Sequence, residues 1–256
     1  MSMETYFGSD KFNLFQTITP FKGSKKGLFI YRIIVFIILC YGLYGSVYVT
    51  IHHNPHQDHD WIYFAYFTNQ TYFGIMIYFM LGIINYYRDS KGTLKGRISN
   101  TYLHTLVHIL YNILLPLAII VTCVFWGLIF PKAETFYFNF NHWAQEIIQH
   151  LLQSVFLCID WYFITIPTNY HHFLPMFIAG VAYLIYAQIY HAIFNVWIYK
   201  FLDPSQNSIW YIIYIGLITI WTLFGFVFAA IQKFKNRNRE FVIDKESFKN
   251  EGFQII

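Results

Sequence analysis

Four stretches of this chain contain no Asp, Glu, Lys or Arg: residues 33–57, 98–131, 161–199 and 204–232. Each exceeds the about 20 apolar residues that carry a helix across the hydrocarbon core of a bilayer. Only 12% of the residues are charged, about half the roughly 25% usual in a soluble domain. Lengths of this kind have no place in a water-soluble globule. They predict an all-α fold, a polytopic membrane helical bundle whose first partner is the lipid bilayer. They exclude a disordered chain, a disulfide-stapled secreted domain and a nucleic-acid binder.

The apolar runs and the turn residues between them predict six transmembrane helices, at about 27–50, 61–87, 101–130, 144–166, 174–199 and 209–232. A cytoplasmic N-terminal tail over 1–26 and a basic cytoplasmic C-terminal tail over 233–256 flank this transmembrane domain, 27–232. The first span is too long for a signal-peptide core and is read as uncleaved. An even number of crossings puts both termini on one side, and Lys and Arg choose the side. Fifteen of the 17 basic residues fall in the two tails, in the 88–100 connection or at Arg32, and the opposite loops hold only Lys132 and Lys200. Both termini are therefore expected in the cytoplasm. The 167–173 connection lacks Lys and Arg, but Pro167 and Pro175 suit it to a tight turn. Cys40, Cys123 and Cys158 all fall in spans and read as small packing residues.

Inside a bilayer the informative residues are polar ones, because each is costly unless it is paired or functional. The second span carries Thr68, Asn69, Gln70 and Thr71 in succession. The fourth carries Glu146, His150, Gln153 and Asp160 on one helical face. The third carries His104, His108 and Asn112, and the fifth Gln188, His191 and Asn195. At about 1.5 Å per residue, Thr68, His150 and His191 lie roughly 10, 9 and 12 Å below the outer face. They form one polar layer. Asp160 and His108 fall in the inner half with Arg32, where a buried structural pair is the expected arrangement. Polar side chains of this kind also hold helices together by hydrogen bonds of about 1 kcal/mol, so any one of them alone carries little functional weight.

At these residues the chain resembles the androgen-induced and androgen-dependent transmembrane hydrolases. These are six-span membrane proteins that cleave fatty acid esters of hydroxy fatty acids. Phe67-Thr68 matches the family's F-T in the second span. His150 to Asp160 matches its H-x9-[DE], and His191 with Trp197–Asp203 (WIYKFLD) matches a third patch. The stretch from Phe67 to Thr71 also resembles related six-span families of unassigned activity. The family's short N-H-x-x-H approach is longer here, with Asn141-His142 separated from His150. The resemblance implies a Thr68 nucleophile and His150 as its catalytic partner, acting on a fatty-acyl ester in the outer half of the bilayer.

The chemistry is consistent with that assignment, since a hydroxyl becomes a competent nucleophile when a neutral imidazole takes its proton. Asn69 or Gln70 is a candidate oxyanion donor, His191 a support for His150 or the substrate, and Asp160 a supporting residue. No cofactor or metal is called for. Two other classes remain open from the residues alone: a proton- or solute-coupled transporter, and a non-catalytic membrane scaffold. The His-rich 51–60 loop offers imidazole and carboxylate ligands, with no second cluster to fix a metal geometry.

Overall fold

A computed structural model describes residues 2–53, 63–130, 140–205 and 209–239. Among these the fold is all helical. A short helix α1 (Met3–Phe7) and two 3-10 turns lead into α2 (Lys25–His53), α3 (Phe67–Ser90) and α4 (Thr101–Val124). There follow α5 (Phe140–Ile147), α6 (Gln153–Phe163), α7 (Phe173–Phe194) and α8 (Trp210–Asn236). A π turn, Phe125–Ile129, prolongs α4, and a second, Ile148–Leu152, joins α5 to α6.

Five helical segments are long and apolar enough to cross a bilayer: Lys25–Tyr48, Phe67–Ser90, Thr101–Ile129, Tyr170–Phe194 and Trp210–Asn236. The expected fourth span is one unbroken helical run through α5, the π turn and α6. Its polarity is inverted relative to a soluble helix. Gln145, Gln149, His150, Gln153 and Asp160 are buried, while Ile147, Leu151, Val155 and Ile159 are exposed. The same inversion holds for the molecule, with Ile37 62% and Ile193 67% exposed beside an Arg32 that is 1% exposed. The exposed apolar side chains form the surface that lipid tails cover. Cys40, Cys123 and Cys158 are on that exposed side, unbonded, rather than in the packing.

Small residues set the closest helix contacts. A Cβ at Gly225 would lie 2.7 Å from the Phe173 backbone, so α8 approaches the start of α7 only because Gly225 has none. Gly82 similarly makes room for the Arg32 guanidinium, 2.5 Å from where its Cβ would be. That guanidinium donates from Nε and Nη2 to the two carboxylate oxygens of Asp160, at 2.7 and 2.9 Å, and the Tyr78 hydroxyl donates to Asp160 Oδ2 at 2.6 Å. The inner polar pair is therefore Arg32 with Asp160. His108 turns elsewhere, its Nε2 standing 2.7 Å from the Pro167 carbonyl.

The N-terminal segment, expected as a tail, is part of the core. Phe12, Leu14 and Ile18 are buried. The Leu14 amide donates to Gly96 O, Ser9 and Thr105 share a hydroxyl hydrogen bond of 2.8 Å, and the Phe21 amide donates to Phe163 O. Its apolar residues sit on 3-10 turns, a spacing that shows no helical stripe in the sequence. At the other end of the described chain, the Arg239 guanidinium lies over the Phe21 ring and donates to Tyr162 O. Both ends of the described chain thus meet at one end of the bundle. The expected C-terminal tail from residue 240 onward lies outside the described residues, and so do the side chains of the His-rich 51–60 loop.

Candidate active site

At the opposite end of the bundle, the start of α3 meets α7, α8 and the end of α4. A cavity opens there, lined mainly by apolar side chains such as Ile120, Val124, Leu184 and Trp221. Thr68 brings the one aliphatic hydroxyl to its described lining, and Tyr183 and Tyr199 bring phenols.

The local fold explains how Thr68 arrives there. Tyr66 is extended (φ −76°, ψ 130°), and its carbonyl accepts the Asn69 and Gln70 amides at 3.1 and 3.3 Å. The Phe67 and Thr68 amides therefore precede the first intrahelical hydrogen bond and form the positive end of the helix. The preceding 3-10 turn, Tyr63–Ala65, is tied down by two side-chain amides. Asn69 Nδ2 donates to Tyr63 O at 2.7 Å and Gln70 Nε2 to Phe64 O at 2.9 Å. Neither amide lines the cavity. The helix was expected from about residue 61. It begins at Phe67, so Thr68 sits in the first turn instead of well along a span.

His150 sits within the second π turn and is 8% exposed. Its ring is stacked on Phe125, centroids 3.5 Å apart and planes 7° from parallel. Phe125 opens the first π turn and lines the cavity. The two π turns thus face one another through this ring pair, and the indole of Trp126 donates to the His150 carbonyl at 3.2 Å. One helical turn earlier, Glu146 lies between two imidazoles. Its Oε2 is 3.0 Å from His150 Nε2 and its Oε1 is 3.2 Å from His142 Nε2. The other ring nitrogen, His150 Nδ1, is buried and has no hydrogen-bond partner among the described residues. The buried amide of Gln153, on the same helical face, has none either.

No hydrogen bond joins Thr68 directly to His150 among the described residues. The Thr68 and Tyr199 side chains both line the cavity instead. Tyr199 belongs to the Trp197–Asp203 patch, which was expected partly as helix. Asn195 ends α7 five residues early by adopting a left-handed backbone (φ 54°). His191 stacks on Trp197 at 4.0 Å, and Asp203 Oδ1 accepts the Ser205 amide and hydroxyl. The connection between them carries Tyr199, Phe201 and Leu202 to the cavity. His191 braces this connection and is not part of the cavity lining.

The third-helix stripe has structural partners. His104 Nε2 is 3.2 Å from Phe12 O, and Asn112 Nδ2 donates to His108 O and Pro167 O. Among the described residues, no group of three or more His, Cys, Asp or Glu is arranged to hold a metal ion.

Helices of bilayer length, an apolar exterior and polar side chains turned inward make this a multi-pass membrane protein. The model of the FAR-17a/AIG1-like protein family matches residues 31–236, and the chain belongs to that family. The match covers Thr68, His150, His191 and the Trp197–Asp203 patch, and agrees with the resemblance drawn from them. No curated protein and no solved structure matches the chain.

Proposed function

We propose that the protein is an integral membrane hydrolase of fatty-acyl esters, with Thr68 as nucleophile and His150 as general base. The observation that carries this reading is an apolar cavity with Thr68 in its lining and His150 behind one of its walls, not itself in the lining. Thr68 opens onto it from a helix N-terminus, and Phe125, which walls it, is stacked on the buried His150.

In the first half-reaction His150 takes the Thr68 proton at Nδ1 while the Thr68 oxygen bonds to the acyl carbon. The carbonyl electron pair moves to oxygen, and collapse of that adduct expels the alkoxide, which recovers the proton from His150 and leaves as the alcohol. Water then attacks the acyl-threonine by the same base and releases the fatty acid. Three features favour these steps. The positive end of α3 stabilises negative charge developing on or beside Thr68. Glu146, 3.0 Å from His150 Nε2, stabilises the imidazolium as it forms, as a carboxylate does for a catalytic histidine. The Gln153 amide and His150 Nδ1 together supply the donors and acceptors a hydrolytic water needs. The 140–163 run counts as a sixth crossing in this reading, with both termini cytoplasmic and the cavity in the outer half of the bilayer.

The deciding measurement is labelling of the purified protein by a fluorophosphonate bearing an alkyl chain. Wild-type protein is expected to label covalently at Thr68, and Thr68→Ala to stay unlabelled. Equal labelling of the two would remove Thr68 from the mechanism.

A further inference from the structure

The Trp197–Asp203 patch brings to the cavity a group that the Thr68 and His150 chemistry leaves without a role. Tyr199 lines the same cavity as Thr68. The ring is held from several sides. Tyr66 meets it edge-on at 5.7 Å, Phe201 stacks at 5.1 Å and Tyr183 lies at 6.3 Å. The neighbouring phenol of Tyr183 donates to Ala65 O at 3.0 Å, so its proton is committed to the backbone. The Asn69 and Gln70 amides are likewise engaged with carbonyls of the preceding turn. Among the described residues the Tyr199 hydroxyl makes no hydrogen bond to a backbone carbonyl, so its proton is left to donate into the cavity.

We infer that Tyr199 is a further catalytic residue, the donor that holds the carbonyl oxygen of the ester as it becomes an oxyanion. This rests on the hydrolase reading above. The attacking and the carbonyl oxygens end on the same carbon, so a phenol lining the same cavity as Thr68 is placed to reach the oxyanion by side-chain rotation. As the bond forms, the Tyr199 hydroxyl donates a hydrogen bond to the substrate oxygen and keeps its proton. Burial pushes the Tyr199 phenol up to about 12, so it remains a neutral donor at any pH where an ester is assayed. A donor of this kind acts on charge that develops in the transition state, so its loss appears in kcat more than in KM.

The experiment is steady-state hydrolysis of p-nitrophenyl octanoate by the purified full chain in detergent micelles. Tyr199→Phe keeps the ring packing and is expected to lower kcat by about 10²–10³-fold with KM within about threefold of wild type. Tyr72→Phe removes an equally buried phenol, one that donates to Leu39 O away from the cavity, and is expected to keep kcat. A Tyr199→Phe kcat within about threefold of wild type, or a loss confined to KM, overturns the assignment. If Tyr199→Phe loses folded yield, difluorotyrosine at 199 retains the bulk. Its more acidic phenol is expected to introduce an alkaline loss of kcat that wild type lacks, and an unchanged profile overturns the role. Thr68→Ala separates the two ideas. Full activity in Thr68→Ala removes the hydrolase reading itself, whereas an inactive Thr68→Ala beside a fully active Tyr199→Phe removes only the part given to Tyr199.

Discussion

In the proposed mechanism Thr68, His150 and Glu146 act through one proton path, so their substitutions are expected to be far from additive. Thr68→Ala and His150→Ala should each remove nearly all hydrolysis, and the double variant should be little worse than either, as for groups that work as one unit. Glu146→Gln should lower kcat by roughly 10²–10⁴-fold with the fold intact, because the imidazolium loses its neighbouring carboxylate. The Arg32–Asp160 pair makes the opposite prediction. Asp160→Ala leaves a guanidinium that is 1% exposed without its anion, a change expected to cost about 3–5 kcal/mol of stability. Thermal unfolding and turnover per folded molecule separate the cases, and an Asp160→Ala protein of normal stability without activity would move Asp160 into the mechanism. The sequence made Thr68, His150 and the Arg32–Asp160 depth legible because polar residues stand out in an apolar run. The Glu146–His150 contact was within reach of the i, i+4 rule. Tyr199 was not, since one Tyr among 22 has no signal until the backbone turns at Asn195.

Between α5 and α6 the five residues Ile148–Leu152 form a π turn, which holds one residue more than the regular helix needs. Helical periodicity places residues on faces but has no way to display that extra residue, so the sequence predicted an uninterrupted span. The turn sets His150 against Phe125. Deleting the exposed Leu151 should restore an ordinary helix while leaving α5 and α6 on their present faces. Folded yield is then expected to stay near wild type while hydrolysis falls to the level of His150→Ala. Full activity in the deletion would show that the π turn has no part in seating the imidazole. The late start of α3 has a related cause. Hydropathy runs smoothly through Tyr63–Tyr66, and it is the hydrogen bonds of Asn69 and Gln70 to the Tyr63 and Phe64 carbonyls that hold this stretch as a 3-10 turn.

For the whole molecule, the all-helical bundle and five of the six expected spans were legible because bilayer thickness imposes its length directly on the chain. The folded N-terminal segment was not, because its contacts are with residues far along the sequence. The 15-to-two distribution of Lys and Arg and the meeting of Phe21 with Arg239 predict that tags at both termini face the cytoplasm. A C-terminal tag protected from the cytoplasmic side would break that topology. The N-terminal segment has a further consequence, for the order of assembly during synthesis. Its anchors are Gly96, Thr105 and Phe163, together with Asn169, which donates to Tyr6 O, and His171, which stacks on the Tyr6 ring. Residues 6–21 therefore dock late in synthesis, once the chain has passed about residue 172. A nascent chain arrested near residue 150 should leave its first 20 residues open to protease, and one arrested beyond residue 240 should protect them. The amino terminus would then report whether the bundle above it has been completed.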